Sequence, residues 1–156
     1  MRVGVRRLFA SKVFSSSAEA VADITNGSSL MVGGFGLCGV PENLLRALHK
    51  MNLKDLNVIT NTTGTNEYGP GLLIKDKQVA EIHASYLGGN EEAERQYLSG
   101  ELLLDLIPQG SLAERLRASG AGISAFYTHT GAGSMVEEGG FPQKLAKDGR
   151  TVIKYA

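Results

Sequence analysis

Short apolar runs alternate with helical patterns along almost the whole chain of 156 residues. An uninterrupted alternation of this kind predicts an α/β fold with a mostly parallel sheet and flanking helices. The run at 101–107 is assigned to a strand because Pro108 ends it after seven residues. The predicted strands are 29–32, 57–60, 79–83, 85–87, 101–107, 123–127 and 151–155. We expect 29–32, 57–60, 102–106 and 123–127 to share one sheet.

Four helices are predicted between these strands. Leu44, Leu45 and Leu48 recur at helical spacing after Pro41, so 41–51 is expected to pack on the sheet through these three leucines. Serine and glutamate three residues apart, at 111 and 114, form a capping box that predicts a helix ending at Gly120. The other two helices are predicted from the capping serines at 16 and 17 to residue 24, and over 91–99.

Composition excludes several classes of function. Sixteen basic and sixteen acidic residues give a net charge of zero, so a nucleic-acid partner is not expected. The single cysteine, Cys38, excludes an internal disulfide and a Cys-rich zinc site, and three dispersed histidines predict no metal site. The uncharged stretches 24–41 and 119–136 are Gly-rich and shorter than the ~20 apolar residues of a membrane span. They are instead candidate functional segments.

The first 18 residues differ in charge from the rest of the chain. They contain Arg2, Arg6, Arg7 and Lys12 and no acid, together with a serine run. This composition is typical of a mitochondrial transit peptide. We therefore expect mitochondrial localisation, with 1–11 as a targeting segment and 12–156 as the folded domain. The alternative is a short disordered basic tail.

The loop after the first predicted strand matches the dinucleotide fingerprint literally. Gly34, Gly36 and Gly39 have the required spacing. However, the second strand leads into Asn61 instead of the acid that would hold a ribose, and Pro41 removes an N–H that a pyrophosphate would need. The sequence therefore disfavours a nicotinamide site.

Cys38 in the same loop precedes a predicted helix. A helix N-terminus can lower the pKa of a thiol and make it a nucleophile. The favoured alternative is a small buried apolar side chain, because free cysteine is among the most buried residue types.

Three ordered blocks resemble the family I coenzyme A transferases, in particular the N-terminal half, or alpha chain, of these enzymes. The blocks are NGSSLMVGGFGLCGVPENL at 26–44, ERQYLSGEL at 94–102 and PQGSLAERLRASGAGISAFYT at 108–128. The resemblance extends over roughly 12–155. It implies the α/β fold of that family and transfer of coenzyme A between succinyl-CoA and a 3-oxo acid such as acetoacetate. A coenzyme A thioester is then a substrate, and no cofactor is permanently bound.

The resemblance also assigns roles to residues. Gln109, in the Pro-Gln-Gly block, corresponds to the family's oxyanion-stabilising amide. Without the resemblance, Gln109 is only a residue at the start of a helix. Asn61 corresponds to an Asn near the reacting carboxyl. The residues implied to line the acyl and pantetheine end of the pocket are Gly33, Gly34, Phe35, Gly36 and Gly39.

The chain departs from the family pattern at several positions. It reads Asn61-Thr62-Thr63-Gly64 where the family has Asn-Asn-Ala-Gly, so the role of the family's second Asn side chain is left open here. In addition, Gly89 stands where relatives often carry an acid. The family's nucleophilic glutamate lies in a Ser-Glu-Asn-Gly block of the second half or second chain. This block is missing here, and the chain is expected to be a truncated form of the family's first half.

These departures imply a partner. The resemblance implies a beta-type chain or C-terminal half that carries the glutamate, within a homo-oligomer and without membrane association. The isolated chain is then expected to be inactive. The alternative function is a non-catalytic acyl-CoA-binding or assembly module.

Overall fold

A four-stranded parallel sheet forms the centre of the protein. The computed structural model describes residues 12–139 and 144–153, without the side chains of 151–153, so the predicted targeting segment lies outside the described residues. The sheet strands lie in chain order, and each neighbouring pair is parallel. They are β1 (Ser29–Val32), β2 (Leu56–Thr60), β3 (Val79–Ala84) and β4 (Leu103–Leu106). The mostly parallel sheet and flanking helices predicted from the sequence are confirmed.

Helices connect the strands and follow the last one. They are α1 (Ser17–Ala20), α2 (Glu42–Lys50), α3 (Gly71–Lys75), α4 (Glu91–Leu98) and α5 (Gln109–Ala121). A small antiparallel pair, β5 (Lys144–Leu145) and β6 (Thr151–Ile153), follows them. The strand predicted over 151–155 is thus confirmed as far as residue 153, and its end lies outside the described residues.

The hydrophobic core lies between the sheet and α2, α3 and α4. Each of these helices joins neighbouring parallel strands, and right-handed crossovers that all advance in one direction place them on one face. Leu45 and Leu48 of α2 are 3% exposed, which confirms their predicted packing. The sheet residues of this core alternate along the strands, as expected for one buried face. They are Leu56, Val58, Ile82, Ala84 and Leu104.

The opposite face of the sheet is only partly covered. Met31, Ile59, His83 and Asp105 form one row across it, in register from β1 to β4. Helix α5 returns over this face. Its Leu112 and Leu116 line a cavity there together with Ile59. Met31, at the edge of the sheet, is 68% exposed. This face is therefore more open to solvent than the core face.

Two of the predicted strands are wrong. Residues 123–127 have no strand partner in the described part of the chain, and Ile123 and Tyr127 are exposed. The αL residue Gly122 ends α5, and the Ile123 N–H then bonds to the Ala118 carbonyl in place of a neighbouring strand. The segment 85–87 contains only an isolated bridge from Tyr86 to Thr62. Both segments have strand-like residues, but strand formation also requires a neighbouring strand with a free edge.

Some helix details also differ from expectation. Leu44 is 40% exposed, so α2 packs through Leu45 and Leu48 only. Helix α5 begins at Gln109, immediately after Pro108, and no side-chain cap forms there, so the capping box is wrong. The predicted cap of α1 is confirmed, since the Ser16 hydroxyl accepts a hydrogen bond from the Glu19 N–H, but that helix ends at residue 20 instead of 24.

Gly71 provides a test of the packing between the connection that follows β2 and the connection that follows β3. A Cβ at Gly71 would lie 1.8 Å from the Thr65 carbonyl oxygen and 2.6 Å from the buried Asn90 side-chain nitrogen. We expect Gly71→Ala to lower the free energy of unfolding by at least about 2 kcal/mol, because neither neighbour can move without breaking its own hydrogen bonds. Urea denaturation measures this change.

The matched control is Gly120→Ala in α5, where an added Cβ meets nothing within 4 Å. Its stability should stay the same or rise by up to about 1 kcal/mol, because alanine favours a helix over glycine. Equal effects of the two substitutions would contradict the packing described here.

Candidate functional site

The carboxyl ends of the parallel strands converge on one cavity. Gly33 and Gly34 directly follow β1, Asn61 directly follows β2, and Gln109 begins α5 shortly after β4. All four line a cavity of about 290 Å³. Ligands of open α/β sheets bind at this carboxyl edge. The fold therefore brings together four of the residues predicted for the site.

Two side-chain amides meet at this cavity. The Asn61 side-chain nitrogen donates a hydrogen bond to Gln109 Oε1, with 2.5 Å between the two atoms. This bond occupies the acceptor oxygen of Gln109. Its Nε2 makes no hydrogen bond in the described part of the chain, so both of its hydrogens are available to a ligand. Asn61 thus orients Gln109 as a hydrogen-bond donor.

The N-terminus of α5 adds to this donor character. Gln109 is the first residue of this 13-residue helix, whose first turn contains no acidic side chain. The amide N–H groups of a first helical turn lack intrahelical acceptors and favour negative charge nearby. The cavity therefore combines uncharged donors with apolar walls. This combination suits an oxyanion that forms during a reaction.

The same tight turn follows both β1 and β2. Phe35 and Cys38 exchange two backbone hydrogen bonds of 2.9 Å, and Thr65 and Tyr68 exchange bonds of 3.0 and 3.4 Å. Each turn leads into the next helix. This repetition was not predicted from the sequence, although each turn is followed by a glycine shortly before a proline, at Gly39 and at Gly69.

Three of the predicted binding residues lie on the first turn, outside the cavity lining. Phe35, Gly36 and Gly39 are exposed, and Phe35 is 77% exposed. Cys38 is also exposed, so the prediction of a buried apolar cysteine is wrong. The two-residue turn places this segment at the surface, because its backbone pairs with itself and not with the sheet.

The substituted residues after Asn61 make hydrogen bonds within their own loop and to the segment that follows β3. The Thr62 hydroxyl accepts from the Gly64 N–H, and the Thr63 hydroxyl donates to the Leu87 carbonyl. Both threonines are almost fully buried. The departure from the family pattern therefore leaves Asn61 in contact with Gln109.

Two of the histidines pair with carboxylates. His49 lies 2.5 Å from Asp76, and His83 lies 3.1 Å from Glu81 and 3.2 Å from Asp105. Over residues 12–139 and 144–153, no group of three or more histidine, cysteine, aspartate or glutamate residues is placed to hold a metal ion. Among the same residues, no helix has both the length and the hydrophobicity needed to cross a membrane.

His83 has the most distinctive electrostatic environment near the site. It lies on the open face of the sheet, beside Ile59 and Leu112 in a second cavity under α5. The hydrogen bond to Asp105 raises the pKa of His83 above its ordinary value of 6.5, and the charge of Glu81 acts in the same direction. Burial and the nearby Arg115 oppose this change. The protonated form of His83 is therefore stabilised by folding.

One cluster of charges extends along α4 to the opposite edge of the sheet. Arg95 bonds to Glu92 and Glu101, and Glu101 also pairs with Lys77. The hydrogen bond from Arg95 lowers the pKa of Glu92 to about 2 and holds the pKa of Glu101 below its usual range. Since Glu101 lies two residues before β4, it is at the amino edge, away from the cavity. It is not a candidate nucleophile.

Comparisons with known proteins agree with this geometry. The sequence model of the family described as "Coenzyme A transferase" matches residues 14–155. The chain is 50% identical over 142 residues to human "Succinyl-CoA:3-ketoacid coenzyme A transferase 2, mitochondrial", which covers 91% of this chain and 28% of the human protein. It is 51% identical over 142 residues to a probable succinyl-CoA:3-ketoacid coenzyme A transferase subunit of Mycobacterium tuberculosis H37Rv, covering 91% of this chain and 57% of that protein.

A solved structure shows the same fold. The acyl-CoA transferase YdiF of Escherichia coli O157:H7, solved as a thioester complex with CoA, matches 90% of this chain and 28% of its own chain. The TM-score is 0.70 at 21% identity. The chain thus spans between about a quarter and somewhat over half of the length of these proteins.

His83 provides a test of the electrostatics on the open face. A group whose pKa is raised by folding stabilises the folded state below its ordinary pKa, and this contribution disappears as the pH rises through the folded-state value. We expect the free energy of unfolding to decrease between about pH 6 and pH 9 in the wild type, and to decrease less in His83→Gln. Urea denaturation across this range measures the difference.

An NMR titration of the His83 ring measures the pKa of His83 directly. A pKa at or below 6.5 would contradict the ion pairing described above.

Proposed function

The chain belongs to the coenzyme A transferase family, and we propose that it is an alpha-type chain that moves coenzyme A between succinyl-CoA and a 3-oxo acid such as acetoacetate. The Asn61–Gln109 amide pair at the mouth of an apolar cavity is the observation that carries this proposal. The printed names of the human and mycobacterial relatives support the substrates. These names do not support a non-catalytic binding module.

The proposed reaction requires a carboxylate nucleophile from a partner. A glutamate of a beta-type chain or C-terminal half attacks the thioester carbonyl of succinyl-CoA, and the carbonyl oxygen becomes an oxyanion. Collapse of this adduct breaks the carbon–sulfur bond, releases the coenzyme A thiolate and leaves an acyl-glutamyl anhydride. The thiolate then attacks the glutamyl carbonyl, which forms an enzyme thioester and releases succinate. The same steps in reverse order load the 3-oxo acid.

Gln109 stabilises the oxyanion in these steps. Its Nε2 hydrogens have no partner in the described residues, while its oxygen is held by Asn61. A neutral donor that is already oriented gains strength as charge develops on the oxygen and needs no reorganisation at that moment. Asn61 acts through Gln109 and is therefore a positioning residue in this scheme.

The glycines after β1 make room for the acyl and pantetheine groups. Gly33 and Gly34 line the cavity, and Gly34 has a φ of +137°, a backbone conformation that side chains disfavour. A Cβ at Gly34 would lie 2.5 Å from a Val40 methyl group. Phe35, Gly36 and Gly39 continue this wall on the exposed turn, which a longer substrate reaches as it leaves the cavity.

The exposed side chains at the carboxyl edge support a protein partner. Phe35, Tyr68 and Tyr86 are 77%, 48% and 61% exposed and lie on the loops that follow β1, β2 and β3. Aromatic side chains of this kind are enriched at protein interfaces. The mycobacterial relative is named as one subunit of its enzyme, which implies a separate partner chain. We propose that such a partner covers the cavity, and that copies of this two-chain pair assemble into an oligomer.

Mitochondrial localisation is also proposed. The basic, acid-free start of the chain supports it, as does the name of the human relative, whereas the mycobacterial relative is bacterial.

The test is deletion of residues 1–11 in a fluorescent fusion. We expect the intact chain to reach mitochondria and the deleted form to stay in the cytosol. Import that is unchanged by the deletion would refute the targeting role.

The test of catalysis compares the chain alone with the chain plus the beta-type chain of a relative. Alone, it should transfer no coenzyme A between succinyl-CoA and acetoacetate. The completed enzyme should form a covalent thioester that mass spectrometry detects. In it, Gln109→Ala should lower kcat by roughly 100 to 1000 fold with little change in KM, because the lost donor acts on the oxyanion and not on the bound substrate.

Two control variants separate this site from nucleophilic side chains elsewhere in the chain. Cys38→Ser and Glu101→Gln should retain the activity of the completed enzyme, since Cys38 is exposed on a turn and Glu101 lies at the amino edge. Strong transfer by the isolated chain that either substitution abolishes would show that the nucleophile lies in this chain.

A further inference from the structure

Glu42 connects the two tight turns at the carboxyl edge. It is the first residue of α2, directly after the turn that follows β1. Its Oε1 accepts a hydrogen bond of 2.8 Å from the Gly69 N–H, which belongs to the turn after β2. Its Oε2 is enclosed and has no partner among the described residues. A carboxylate at the start of α2, next to the first loop, therefore holds the backbone of the second loop.

The Val40 side chain reaches both of these loops. One of its methyl groups lies 2.5 Å from the position of a Gly34 Cβ in its own loop, and the other lies 3.8 Å, an ordinary van der Waals distance, from the position of a Gly69 Cβ. The hydrogen bond of Glu42 and the side chain of Val40 thus act on the same pair of loops.

The second loop leads directly to the amide pair. Gly69 directly follows Tyr68, which exchanges two backbone hydrogen bonds with Thr65. The neighbouring Gly64 N–H bonds to the hydroxyl of Thr62. Thr62 follows Asn61, which bonds to Gln109. A continuous series of contacts therefore extends from Glu42 to Gln109.

We propose that Glu42 is a positioning residue: its carboxylate fixes the 62–69 loop and thereby the Asn61 amide that orients Gln109. The effect of Glu42 on catalysis rests on the proposed transferase function, whereas the effect of Glu42 on the 62–69 loop does not. The acceptor oxygen is the feature that matters. A glutamine at this position keeps that oxygen and removes the charge.

The first experiment measures amide hydrogen exchange in the isolated chain by mass spectrometry. Glu42→Ala should accelerate exchange in peptides that cover 62–69 by about tenfold or more, because a backbone donor loses a charged acceptor. Glu42→Gln should exchange at nearly the wild-type rate. The matched control is Glu94→Ala, which removes an exposed carboxylate from the first turn of α4. The Glu94 side chain makes no hydrogen bond or ion pair in the described part of the chain.

Two results would overturn the proposal. One is wild-type exchange over 62–69 in Glu42→Ala. The other is an equal acceleration over β2, β3 and the loop, which would show a general loss of stability and no specific role in positioning.

The second experiment measures kinetics in the completed enzyme. Glu42→Ala should lower kcat by about tenfold while KM changes less than twofold, and Glu42→Gln should restore most of kcat. An equal loss of kcat in both variants would overturn the positioning role. If the completed wild-type enzyme transfers no coenzyme A, the proposed function fails, and the exchange experiment still decides whether Glu42 holds the loop.

Discussion

Parallel pairing of four strands in chain order is the constraint on which the rest of this structure depends. Because neighbouring strands have the same direction, each connection must cross from the carboxyl edge back to the amino edge. The helices fill one face as a result, and the residues that follow the strands collect at one edge. Gly33, Asn61 and Gln109 are separated by tens of residues in the chain but share one cavity.

Much of the fold could be predicted from local sequence patterns, because all four sheet strands and helices α2, α4 and α5 overlap predicted elements. Helix α3 was missed, since Gly71–Lys75 is too short to show a helical repeat. Residues 123–127 have the composition of a strand, but strand formation requires a free edge at the right place, which a local pattern does not reveal. The exposure of Leu44 depended likewise on tertiary packing.

The candidate site was predictable to a similar extent. The resemblance to a family pointed to Gln109, Asn61 and the glycines after β1, and four of these residues line one cavity. The hydrogen bond between the two amides was not predictable, because it depends on how α5 returns over the sheet. The exposed position of Cys38 and the bond from Glu42 to the second turn depend on loop geometry, which residue type alone does not determine.

The ion pair of Lys77 and Glu101 lies at the edge of the sheet that is opposite the cavity, since each of these residues comes shortly before a strand. The amide donors and apolar walls are at the other edge, and the buried strands separate the two regions. Substitutions in this ion pair can therefore accumulate during divergence with little effect on the cavity. One edge of the sheet can change with temperature or salt while the amide pair at the other edge stays the same.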